Sequence, residues 1–147
     1  MPIVAAGHAD MAEIKRLLES SGLLADDITP NLLDRFLVRR EGPALLAVVG
    51  LELAGDAALL RSLAIPEPLR GGGAGREMVA AAETLAQRCG VRSLYLLTTA
   101  ASGYFSRLGN REVSRDLAPP GIRGTAQFIG LCPSTSAFMV KHLEGRQ

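Results

Sequence analysis

Cysteine is nearly absent from this sequence. Cys89 and Cys132 are the only two. They lack metal-ligand spacing and are too few for a disulfide framework, a usage that suits a reducing cytoplasm. An excess of one charge is missing too. Lys and Arg number 16 against 15 Asp and Glu, a formal net charge of +1, and no basic run reaches five residues. That removes the electrostatic footprint of a nucleic-acid binder. Long hydrophobic runs are lacking: the longest reach about ten residues, half of what a membrane-spanning helix needs. The opening stretch, MPIVAAGHADMAEIKRLL, has no charged segment followed by an apolar one and a cleavage site, so no signal peptide is expected. Internal repeats, low-complexity segments and linkers are also wanting, which leaves a single domain over residues 1–147.

What is present is an apolar fraction of 48%, enough for a real core. Pro2 to Ala5 reads as a short strand. Met11, Ile14, Leu17 and Leu18 have helical spacing. Thr29-Pro30 has the form of an N-cap with proline at the first helical position, opening a short helix through Leu33. Strands are expected over 36–40, 44–53 and 57–65, the last ended by Pro66 and Pro68. A helix over 76–89 places Met78, Val79, Ala82, Leu85, Ala86 and Cys89 on one face, with Gly90 as its C-terminal cap. A buried strand over 91–98, a short helix over 101–108 closed by Gly109, a strand over 111–115, helical character within 119–128 and a final strand over 136–143 complete a mixed α/β order.

The most informative stretch is Arg70-Gly-Gly-Gly-Ala-Gly-Arg76, between a strand and an amphipathic helix. Glycines there allow positive φ and close approach of a ligand to the backbone. The free N–H groups and dipole of a helix start make an anion site, with Arg70 and Arg76 adding charge at its two ends. The phosphate-loop pattern GxxxxGK[ST] is absent, and the dinucleotide pattern GxGxxG fails because Arg76 stands where its third glycine belongs.

A second feature is a polar pair on a hairpin. Gly55-Asp56 between two apolar runs signals a two-residue turn. Glu52 then faces Leu59 and Arg61 faces Gly50, all on one face, with Glu52 and Arg61 diagonal neighbours about 7–8 Å apart at the backbone. Gly50 is expected to leave open space beside Arg61, and a β-bulge near Ser62 to interrupt the register. The pair reads either as a structural ion pair or as the polar floor of a pocket, Glu52 taking a proton from an amine and Arg61 gripping an acid. His8 and His142 are expected at the surface, Asp26-Asp27 in a solvated loop, and Cys132-Pro133 in packing or a turn, with the lining of a pocket as the alternative.

The spacing Arg70, Gly73, Gly75 matches [QR]-x-x-G-x-[GA] and resembles the signature of the GNAT acetyltransferases. YLLTTAASGYFSRLGN resembles that superfamily's fifth strand and following short helix, with Thr98 in place of a common asparagine and Phe105 in place of the usual acid tyrosine. GLELAGDAALLRSLAI and LCPSTSAFM are similar to the arsenic-operon N-acetyltransferases, relatives of the phosphinothricin and arsinothricin acetyltransferases. The resemblance implies a mixed, mostly antiparallel sheet flanked by helices and splayed between its fourth and fifth strands. It implies acetyl-CoA as co-substrate, no metal, a small acidic amino acid as acceptor, a role in arsenic resistance or detoxification, and it leaves a homodimer open. Leu63, Ala64 and Ile65, the loop residues Arg70, Gly71, Gly72, Gly73, Ala74, Gly75 and Arg76, and Ser102 and Phe105 would bind coenzyme A. Arg61, Ser62 and Thr98 would meet the acceptor, with Glu52 as base; the acid is left open between Tyr104, a water and none. Two rival readings are a non-catalytic acyl-CoA-binding module, which the phenylalanine at 105 favours, and a protein or peptide N-acetyltransferase.

Overall fold

The computed structural model describes residues 2–131 and 133–143. They form a mixed, mostly antiparallel seven-stranded sheet with flanking helices, in the strand order β1-β2-β3-β4-β5-β7-β6. The strands are β1 (Ile3–Ala5), β2 (Phe36–Glu41), β3 (Ala44–Ala54), β4 (Ala57–Ala64), β5 (Ser93–Thr98), β6 (Arg111–Glu112) and β7 (Ala137–His142). The chain divides into two compact units: Met1–Glu52 with Leu60–Thr84, and Leu53–Leu59 with the chain from Leu85 onward.

In the first unit, α1 (Met11–Ser20) turns Ile14 and Leu18 fully inward, as its apolar spacing requires. Arg40 ties this helix to β2 through Asp10 Oδ1 at 2.7 Å and Glu13 Oε1 at 2.6 Å. The helix α2 (Pro30–Leu33) starts as expected: Thr29 Oγ1 accepts the Leu32 N–H at 3.2 Å, and proline needs no N–H at the first position. β1 and β2 pair antiparallel, as do β2 and β3, with a bulge between Arg39 and Arg40. The core joins Ile14, Leu18, Ile28, Leu33, Phe36, Val38 and Val48. Phe36 pairs with Gly50, and a Cβ on Gly50 would lie 2.4 Å from its ring. The space expected beside Arg61 is therefore filled, with the Arg61 guanidinium carbon 6.0 Å from the Phe36 ring centre.

The helix α3 (Ala74–Arg88) begins two residues earlier than the sequence suggests, because Ala74 and Gly75 already take helical backbone and Gly73 O accepts the Glu77 N–H. Met78, Val79, Ala82 and Ala86 are buried on one face. At its far end Gly90 has φ +83°, and the Val91 N–H returns to Ala86 O at 2.9 Å. That bond engages Val91, so β5 starts at Ser93 rather than at 91.

In the second unit, β5 runs parallel to β4 at Ala57–Leu59 and antiparallel to β7 along its whole length. Tyr95 stacks on Phe138 at 5.2 Å, over a core of Ala57, Leu59, Ala118 and Ile122. Of the strand expected over 111–115, Arg111–Glu112 pair with β7 and the Val113 N–H adds a bond to Phe138 O at 2.9 Å, before Ser114 caps a 3-10 turn over Arg115–Leu117. The ambiguous 119–128 segment is two short helices, α5 (Pro120–Arg123) and α6 (Ala126–Gly130), the second capped by the Thr125 hydroxyl. Between β5 and β6, α4 (Ser102–Arg107) ends at Gly109, whose φ is +99°.

Candidate functional site

β4 delivers the chain to the glycine loop. Within it Ser62 has φ +60°, a left-handed conformation rare for a residue with a side chain and worth roughly 1–2 kcal/mol of strain. This is where a bulge was expected. The Ser62 hydroxyl accepts the Arg61 Nε–H at 3.0 Å. Ala64 is buried, while Leu63 and Ile65 are half-buried. Past Pro66 a 3-10 turn at Glu67–Leu69 leads into the loop.

Gly71 and Gly73 have φ +87° and +85°, and a Cβ built on either would meet nothing within 4 Å. Glycine is thus required there by the backbone turn and not by crowding. Arg70 to Gly73 are exposed, and α3 follows at once with 15 residues of aligned dipole. Its first N–H groups have no intrahelical acceptor. Successive N–H groups in such a turn form an anion-binding concavity, so the donor set fits a diphosphate. Arg76 is exposed at the helix start. The Arg70 Nε–H donates to Ile65 O at 2.8 Å and ties the loop to the end of β4.

The polar cluster on β3 and β4 is larger than the sequence suggested. The Arg61 side chain is completely enclosed. Asp27, in the connection between α1 and α2, grips it with both oxygens, Oδ1 on Nη2 at 2.7 Å and Oδ2 on Nη1. Glu52 Oε1 takes a second bond from Nη1 at 3.1 Å, and Leu24 O a longer one from Nη2 at 3.5 Å. Partial burial would raise the Asp27 pKa, but the hydrogen bonds and charge of Arg61 outweigh it and hold the carboxyl below its usual range. Two expectations are corrected here. Asp26 is exposed, but Asp27 is a buried-cation partner and not a solvated loop residue. Arg61 has no free fork for an acceptor's acid group, because its donors are committed within the protein. Glu52 keeps a half-buried carboxylate whose single hydrogen bond among the described residues is the one to Arg61.

The other expected site residues belong to the second unit. Thr98 is half-buried, and its hydroxyl accepts the Ala101 N–H at 3.0 Å, fixing the turn into α4. Ser102 opens that helix. Phe105 is buried, at 7% exposure, and packs edge-on to Tyr104 at 5.3 Å. Tyr104 is half-buried, and nothing hydrogen-bonds its hydroxyl among the described residues. The sequence reading missed Asn110, buried after Gly109, whose side chain donates to Phe105 O at 3.1 Å and locks the end of α4. His8 and His142 are exposed as expected, and Cys132 lies outside the described residues.

Comparison with known proteins decides the family. The acetyltransferase (GNAT) family pattern matches residues 10–109, from α1 through the glycine loop to the end of α4. The chain belongs to the GNAT family. This GNAT N-acetyltransferase is 29% identical over 121 residues to the uncharacterized N-acetyltransferase CT2212 of Chlorobaculum tepidum, covering 78% of the chain and 77% of that relative. Its fold matches N-acetylglutamate synthase from Neisseria gonorrhoeae, solved with coenzyme A and N-acetyl-glutamate, with a TM-score of 0.84, 22% identity and 97% of the chain covered. The acetyltransferase spans about a third of that synthase, 35% of its length. Rv2747 from Mycobacterium tuberculosis, solved with CoA, matches over 98% of this chain and its own full length, with a TM-score of 0.82 and 18% identity. At these identities the solved structures establish the fold.

Proposed function

We propose that this GNAT protein transfers an acetyl group from acetyl-CoA to the primary amine of a small-molecule acceptor. The observation that carries this reading is the pair of positive-φ glycines, Gly71 and Gly73, at the start of α3, a backbone cradle suited to the coenzyme A diphosphate. The two fold relatives solved with coenzyme A support the same co-substrate. The backbone of Leu63 to Ile65 would align the pantetheine arm and polarise the thioester carbonyl.

In the reaction the acceptor nitrogen forms a bond to the acyl carbon while the carbon–sulfur bond breaks. The nitrogen loses a proton and the departing thiolate gains one. Glu52, with a carboxylate oxygen that has no hydrogen-bond partner among the described residues, is assigned the first proton, directly or through a water. Glu52→Gln is expected to lower turnover and remove the acidic limb of the pH–rate profile. A variant with the wild-type rate and profile would leave Glu52 a structural partner of Arg61. Tyr104, whose hydroxyl has no hydrogen-bond partner among the described residues, is assigned the second proton. Tyr104→Phe is expected to slow turnover with little change in coenzyme A affinity, and an unaltered rate would hand that step to solvent.

The similarity to the arsenic-operon enzymes supports an amino-acid acceptor of the arsinothricin or phosphinothricin kind, acetylated on its α-amine. Since Arg61 is occupied, the acid of such an acceptor would have to be met by donors other than its guanidinium, Ser62 among them. The test is thiol release from acetyl-CoA with both antibiotics beside glutamate, methionine and a peptide amine. Turnover of peptides with both acidic analogues ignored would reassign the acceptor. No thiol release with any amine, despite tight coenzyme A binding, would favour the non-catalytic reading.

A further inference from the structure

We propose that Asp27 is a positioning residue for acetyl transfer, which occupies the fork of Arg61 and so leaves Glu52 one open carboxylate oxygen. This rests on the assignment of Glu52 as base. A guanidinium prefers to bind one carboxylate through two parallel hydrogen bonds. Arg61 has two carboxylates within reach and gives its two-pronged contact to Asp27, while Glu52 receives a single bond at 3.1 Å from the nitrogen that also serves Asp27. The third donor, Nε, goes to Ser62. The charge of Asp27 offsets that of Arg61, so Glu52 sits beside a neutralised cation and not a bare one.

The arrangement has a reason in the chemistry of a base. Held by both prongs of an unopposed guanidinium, a carboxylate is stabilised in its ionised form and becomes a poor proton acceptor. Asp27 prevents that by competition. The charged groups bearing on the cluster are Arg61 on β4, Asp27 in the connection between α1 and α2, and Lys15 on α1, whose charge acts on Asp27. Asp27 is 34 residues from Arg61 in sequence and joins a connection with two exposed leucines, Leu23 and Leu24, at 39% and 37%. The same contact therefore also fixes that connection over β4.

The experiment is a carbon-13 NMR titration of protein labelled at the glutamate side-chain carboxyl carbon, with the Glu52 resonance assigned by its disappearance in Glu52→Gln. In Asp27→Asn, which keeps the shape and removes the charge, the midpoint of the Glu52 titration is expected below that of the wild type. Asp27→Glu, which restores the charge, is expected to return it toward the wild-type position. Asp27→Ser is the substitute should the amide variant fail to fold, with the same shift expected. A midpoint unmoved in the neutral variants would overturn the proposal. The base assignment fails separately, through wild-type turnover in Glu52→Gln, whatever the midpoints show.

Discussion

Replacing Gly73 by valine is expected to weaken acetyl-CoA binding more than tenfold, a loss of about 1.4 kcal/mol or more. Gly73 sits at φ +85° immediately before α3, and its carbonyl accepts the N–H of Glu77, the fourth residue of the helix, which leaves the N–H groups of Ala74 to Arg76 ahead of it. A β-branched residue is a strong outlier at such a φ, so valine has to move the backbone toward negative φ. That rotation turns the N–H groups of Gly73 and Ala74 out of the concavity that a diphosphate would occupy. The added side chain meets no protein atom, because nothing lies within 4 Å of the Cβ position, so the effect falls on the ligand side and on the loop and not on the core. Calorimetric titration of coenzyme A into a variant with wild-type circular dichroism separates the two. Unchanged affinity would remove the loop from the binding site. Arg70→Gln should have a smaller effect of the same sign, since the Arg70 side chain braces the loop against Ile65 O.

Arg61→Met is expected to destabilise the protein by roughly 3 kcal/mol, with a fall in Tm of roughly 10 °C. Methionine fills much of the volume but leaves Asp27 and Glu52 facing each other without a cation. Breaking a buried pair from one side typically costs about 3–5 kcal/mol. The lower end applies because the two carboxylates retain 19% and 24% side-chain exposure, so water relieves part of their repulsion. The pH dependence gives the sign. Arg61 lowers the folded-state pKa of Asp27 below its unfolded value, which is near 3.9. The stability from this pair is therefore complete above the unfolded value and is lost as pH falls through the folded one. The gap between wild type and variant should be full at neutral pH and narrow below about pH 4. Denaturant unfolding at several pH values measures it, and a gap independent of pH would show that packing, not the ion pair, sets the effect. Arg61→Lys, which keeps the charge and loses the fork, should fall between the two.

Much of the site was legible where its cause is local. The glycine loop, the cap at Thr29, the stop at Gly90 and the turn at Gly55-Asp56 all depend on residues a few positions apart, and each stands where the sequence placed it. Boundaries moved where a backbone group was claimed by a neighbour, as when the Val91 N–H closed α3 instead of joining β5. The Glu52–Arg61 contact came from hairpin geometry, which relates nearby positions by a simple rule.

The sequence by itself determined the α/β order and the place of the glycine loop, because helix periodicity, glycine and proline placement and short-range register are properties of neighbouring residues. Only the tertiary structure decided who holds Arg61. Asp27 carries no local mark that separates it from the exposed Asp26 beside it. What distinguishes the two is that the connection between α1 and α2 comes to lie against β4, 34 residues along the chain, with one of two adjacent carboxylates turned inward. A fully enclosed guanidinium needs its charge and its donors answered within the fold. That requirement can be read from an arginine in an apolar strand, but the group that meets it is chosen by three-dimensional proximity alone.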